Sequence, residues 1–112
     1  MPDISQVLSS HAAVTHLDPA LLHQVVLRGN PDVQATTMDG ETVLLDLSTG
    51  RYYTLNRIGS LIWELCTGTQ TISDIHEVVC NRFDVVSERA LADLVTLVNQ
   101  LVQEGLLQPE RR

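Results

Sequence analysis

The chain has 112 residues, 44% of them hydrophobic, and its 7 Lys+Arg against 14 Asp+Glu give a formal net charge of −7. That length and apolar content suit one globular domain, while the negative field repels nucleic acid and anionic membrane surfaces, whose phosphates call for clustered cations. No run approaches the ~18 apolar residues of a membrane span, and the opening MPDISQVLSS lacks the basic-then-apolar pattern of a secretory signal, so a cytoplasmic protein is expected.

Residues 1–30 read as a helical extension. A weak helical pattern covers about 4–14. Asp18-Pro19 then offers a cap followed by proline at the first helical position, and Gly29 offers a stop, which predicts a short helix over 19–28. Its apolar residues Leu21, Leu22, Val25 and Val26 fall on one stripe. Asn30-Pro31-Asp32 breaks the chain. From Val33 the period becomes two: VQATT is a strand, MDG a turn, ETVLLDL a second strand, STG a hairpin loop with Gly50 at its left-handed position, and RYYTL the returning strand.

Three helices follow. Asn56 caps the first, in which Ile58, Leu61, Ile62, Leu65 and Cys66 recur at helical spacing before Gly68. TISDIHEVVCNRF is the second, with Ile72, Ile75, Val78, Val79 and Phe83 along one side. Ser87 is the expected cap of the third, about 88–104, which Gly105 stops. The fold class predicted is α+β and winged-helix-like: a three-stranded antiparallel sheet followed by three helices.

Catalysis finds little support in the residue pattern. His11, His16, His23 and His76 form no H-E-x-x-H and share no spacing with the cysteines, so neither a zinc site nor any other cofactor is expected. Cys66 and Cys80 make no C-x-x-C pair and read as small buried hydrophobes. His76 and Cys80, at i and i+4, could touch, but no acid is placed to orient the imidazole. The glycines stand singly at turns and helix ends, without a phosphate-cradling loop.

The third helix is more informative. Its apolar stripe, from Leu97 round to Val95, is roughly 160° wide, where packing on one layer needs nearer ~100°. Either several partners bury it, the N-terminal extension among them, or one margin lines an open groove. A strand that places Tyr52 beside Tyr53 must turn one ring away from the core, and that strand could form the opposite wall.

Two segments, VLLDLSTGRYYTLNRIGSLIWELCTGTQTISDI and FDVVSERALADLVTLVNQLVQEGLL, resemble the PqqD-like family, the small peptide chaperones also called RiPP recognition elements. The resemblance divides the chain into the extension (1–30), a recognition domain (31–108) and a tail (109–112). It implies a winged-helix variant that binds the leader of a ribosomally synthesised precursor peptide as an added antiparallel strand. The peptide-binding residues it implies are Arg51, Tyr52, Tyr53, Thr54 and Leu55 on the strand and Leu91, Leu94, Val95, Leu97, Val98 and Leu101 on the third helix. The hairpin and the G-S-L-I-W-E-L helix look most like the free-standing proteins of lasso-peptide clusters, whose partners are a leader peptidase and a cyclase. Presentation of a peptide to a radical enzyme in pyrroloquinoline quinone synthesis is the alternative within the family. A DNA-binding winged helix is the alternative outside it, opposed by a helical surface that offers Arg82 and Arg89 against Asp74, Glu77, Glu88, Asp93 and Glu104.

Overall fold

A computed structural model describes residues 22–111. In chain order these form β1 (Val25–Gly29), β2 (Val33–Met38), β3 (Glu41–Asp46), β4 (Arg51–Leu55), α1 (Arg57–Leu65), β5 (Thr67–Thr71), α2 (Ile72–Arg82), α3 (Ser87–Gln103) and β6 (Leu107–Arg111). The strands make two antiparallel sheets of three, ordered β5-β1-β6 and β2-β3-β4.

The expected meander is the second sheet, and its turns follow from local chemistry. Asp39 (φ 54°) and Gly40 (φ 79°) both take positive φ, as a two-residue turn matching strand twist requires, and Asp-Gly meets that demand at little steric cost. Between β3 and β4, the Asp46 carboxylate accepts from the Ser48 amide at 2.9 Å and the Ser48 hydroxyl at 2.7 Å. The Ser48 hydroxyl is the main reason the Asp46 pKa lies below its ordinary value. The helices also lie where the periodicity puts them. Asn56 Oδ1 accepts from the Gly59 amide, and Thr71 and Asp74 close a reciprocal capping box on α2. The start of α3 differs: Val86 is the cap, without a side-chain bond, and Ser87 is already helical.

The first sheet corrects the reading of residues 19–28 as a helix. Residues 25–29 are its central strand, with Val26 opposite Thr71 and Glu110, and Leu27 opposite Pro109. An apolar run this short satisfies either period, and the β-branched pair Val25-Val26 suits a strand once two partners supply its hydrogen bonds. Residues 4–14 and 19–21 lie outside the described residues. Residues 25–29, assigned to the extension, and 109–111, assigned to the tail, are thus paired within one sheet. Gly68, expected as a helix stop, sits in β5 at φ 86°, where an added Cβ would run into the Arg28 guanidinium.

One apolar cluster joins the two sheets and the three helices. Leu27, Leu44, Leu55, Ile62, Ile75, Leu94, Leu97, Leu101, Leu106 and Leu107 have almost no exposed surface.

Candidate functional site

Strand β4 pairs with β3 along one side, from Asp46 opposite Arg51 to Thr42 opposite Leu55. No strand pairs with its other side among the described residues. It is a sheet edge, with alternate backbone N–H and C=O groups directed away from the ladder. Side chains alternate as the pleat demands: Tyr53 and Leu55 are buried, Thr54 is half-buried, and Tyr52 is 49% exposed. One tyrosine therefore belongs to the core and its neighbour to the surface.

The inward ring fixes the strand against α3. The Tyr53 hydroxyl donates to Glu104 Oε1 at 2.7 Å, and Arg51 Nη1 lies 3.5 Å from the same oxygen. Burial first, and then the bond to Glu104, pushes the Tyr53 pKa up. Contact with the Tyr53 oxygen and the charge of Glu104 raise that of Arg51 in turn. Glu104 caps the C-terminal end of α3, so this contact joins the start of β4 to the end of that helix. Nothing in the sequence marked Glu104, because a pairing across 51 positions leaves no local period.

The wide stripe of α3 resolves into two rows. Leu94, Leu97 and Leu101 form the deeper one, at 0–1% exposure, inside the core. Leu91, Val95, Val98 and Val102 follow one another at helical spacing beside it. Val95 and Val98 are nearly covered, whereas Leu91 and Val102 are half-buried. Of the helix positions put forward from the sequence, Leu91 is thus the most open, and Val102 extends its row.

The His76–Cys80 pair does meet, with Sγ 3.3 Å from Nε2. The same Nε2 lies 2.8 Å from the Ser87 carbonyl oxygen, to which it donates. A nitrogen whose proton goes to a carbonyl has no lone pair to take a thiol proton. The Cys66 thiol is buried, and burial pushes its pKa up to about 12. Among the described residues no three His, Cys, Asp or Glu side chains converge as metal ligands would, and no helix is long and apolar enough to cross a membrane.

Comparison with known proteins bears on this arrangement. A search of curated proteins found no match. Two solved structures are similar. One is titled "TbiB1 in Complex with the TbiA(beta) Leader Peptide", at 30% identity and a TM-score of 0.67, covering 72% of this chain and 94% of that one. The other is "Lasso peptide synthetase B1 complexed with the leader peptide", at 26% identity and a TM-score of 0.66, covering 73% and 96%. The family described as "Coenzyme PQQ synthesis protein D (PqqD)" matches residues 41–107, from the first residue of β3 to the first of β6, which is more than half of the chain. With the edge strand, the helices and the hairpin all inside that match, this chain belongs to the PqqD family.

Proposed function

We propose that this protein binds the leader of a ribosomally synthesised precursor peptide and presents it to separate enzymes, a leader peptidase and a cyclase of the lasso-peptide type. The observation that carries this reading is the free edge of β4 in a chain 30% identical to a protein solved with a leader peptide. An extended guest added there satisfies the outward N–H and C=O groups of Arg51–Leu55, and its alternate side chains meet the apolar row on α3. Leu91, Val95, Val98 and Val102 form that wall, with Leu94, Leu97 and Leu101 supporting it from beneath. The role is binding rather than bond-breaking, and the chemistry belongs to the partners.

The family match also supports presentation of a precursor in pyrroloquinoline quinone synthesis. The lasso-type reading is preferred because both similar structures are leader complexes, one titled a lasso peptide synthetase B1. DNA binding is disfavoured: Arg89, a cation at the start of α3, is drawn to Asp93 at 4.0 Å, and the chain as a whole is acidic.

Calorimetric titration with two synthetic peptides tests the proposal: the leader of a precursor encoded beside this gene, and a Glu/Tyr-containing quinone-precursor peptide. Micromolar or tighter binding of the first alone, with one-to-one stoichiometry, is expected. Preference for the second would move the protein to the quinone pathway, and binding of neither would end the leader-binding reading.

A further inference from the structure

The chain contains no lysine, and five of its seven arginines precede the terminal pair Arg111-Arg112. Three of the five have carboxylate partners: Arg28 with Glu110 at 3.2 Å, Arg51 with Glu104 at 3.5 Å and Arg89 with Asp93 at 4.0 Å. The other two, Arg57 and Arg82, have no ion pair among the described residues. Both line the same cavity of about 300 Å³, between the β2–β3 turn, α1 and the end of α2. In a protein with twice as many acids as bases, two unpaired cations facing one hollow call for an explanation.

Helix stability accounts for one of them at most. Arg82 ends α2, where a cation suits the helix dipole. Arg57 opens α1, where a cation opposes it, in a first turn that holds no acid. The Arg57 stem instead runs past the turn, since a Cβ added to Gly40 would lie 3.3 Å from its Cγ and 3.4 Å from its Nε. That packing limits the freedom of the guanidinium before any guest arrives. Leu61 and Phe83 give the cavity an apolar floor, and Glu64 stands among its lining residues as the lone carboxylate.

We infer that this cavity is a second docking site, distinct from the β4 edge, for an acidic peptide segment of a partner protein. One carboxylate of the guest lies between Arg57 and Arg82, and its apolar neighbour rests on Leu61 and Phe83. Guanidinium groups hold carboxylates through paired N–H donors. Glu64 repels a second negative charge, so the guest carries one acid beside an apolar residue and is not a polyanion. The cavity shares no residue with β4 or α3, which leaves a bound leader and a bound partner free to coexist.

Nuclear magnetic resonance of the isotope-labelled full chain tests this with three probes: acetyl-Gly-Glu-Leu-Gly-amide, the same peptide with Gln for Glu, and inorganic phosphate at matched ionic strength. The Glu peptide should shift the Gly40 and Leu61 amide signals and the Arg57 and Arg82 Nε–H signals in a saturable way. Affinity should fall at least tenfold for the Gln peptide, and likewise for the Glu peptide with Arg57→Gln or Arg82→Gln. Both arginines are exposed, so these variants should keep the parent melting temperature and leader affinity. Three results would each overturn the inference: no saturable shift at those signals, equal affinity for the Gln peptide, or phosphate shifting the same signals at the same concentrations, which would mark a simple anion site.

Discussion

The two sheets share a strand count and an antiparallel sense, yet they treat their edges differently. In β5-β1-β6, one edge carries Pro109, Glu110 and Arg111, and the other carries Gly68 and an irregular register opposite Val26–Arg28. Proline removes a donor, charge resists burial, and irregularity spoils a template, so neither edge invites another strand. In β2-β3-β4 the edges hold no proline and no irregularity. Strand β2 is exposed along almost its whole length on both faces, so a guest there would gain hydrogen bonds but little apolar contact. Among the described residues, β4 has a free ladder side and a buried face that reaches the end of α3 through Tyr53 and Glu104. A docking edge, on this comparison, needs a wall as well as unpaired backbone.

The sharpest test contrasts the two rows of α3. Leu97→Asp or Leu101→Asp buries a carboxylate in the core and should cost about 4 kcal/mol or more, enough to unfold much of a domain of ordinary stability by circular dichroism. Leu91→Asp or Val102→Asp, at half-buried positions, should leave the fold intact and weaken leader binding at least tenfold, or ~1.4 kcal/mol. Unchanged affinity in both folded variants would remove the wall from the argument.

Proline substitution breaks the comparison at the ladder. Successive N–H groups on β4 alternate between β3 and the open side, so proline at Tyr52 and at Tyr53 should act oppositely in one respect. At one parity the domain loses stability. At the other it stays folded and loses roughly tenfold or more in leader affinity, since a lost bond of ~1 kcal/mol is joined by the steric bulk of the ring. Tyr52→Ala and Tyr53→Ala keep the backbone donor and serve as controls. Ala35→Pro on β2, where the N–H faces away from β3, should leave the fold and leader affinity unaltered, and a loss of affinity in a folded variant would transfer the docking edge to β2.

Smaller effects concern two contacts near the start of β4, one in the turn before it and one against the end of α3. Tyr53→Phe removes the bond to Glu104 and should lower stability by about 1–2 kcal/mol at neutral pH. Because the folded Tyr53 pKa is raised, its contribution is fully present below the ordinary value of 10.0 and is lost as pH rises through the folded value. The parent should therefore weaken in alkali more steeply than Tyr53→Phe, as followed by melting temperature. Asp46 has the opposite sign. Its lowered pKa gives stability present above the ordinary 3.8 and lost as pH falls through the folded value, so Asp46→Asn should flatten the acid side of the profile slightly.

What could be read from the sequence divides along the same line as the sheets. The meander and the three helices rest on neighbours within a few residues, and turn chemistry such as Asp39-Gly40 or the Thr71–Asp74 box is written locally. The other sheet rests on pairings between residues roughly forty and roughly eighty positions apart, Arg28 with Thr67 and with Gln108 among them, and TGTQT has no apolar period to announce a strand. The site divides likewise. Alternation separated an inward from an outward tyrosine in β4, but depth along α3 depends on what the sheets and the other helices cover, and no wheel carries that information.

Val25 and Arg111 are direct partners across the β1–β6 ladder, which sets their Cα atoms about 5 Å apart. A tether leaving the domain at either residue starts from the same spot. An enzyme joined there would search the same volume around a bound leader whichever strand end carried it, so its effective concentration would follow linker length and stiffness alone. The domain can thus serve as a cassette that is indifferent to gene order, fused ahead of a processing enzyme, behind it, or inserted within one of its surface loops.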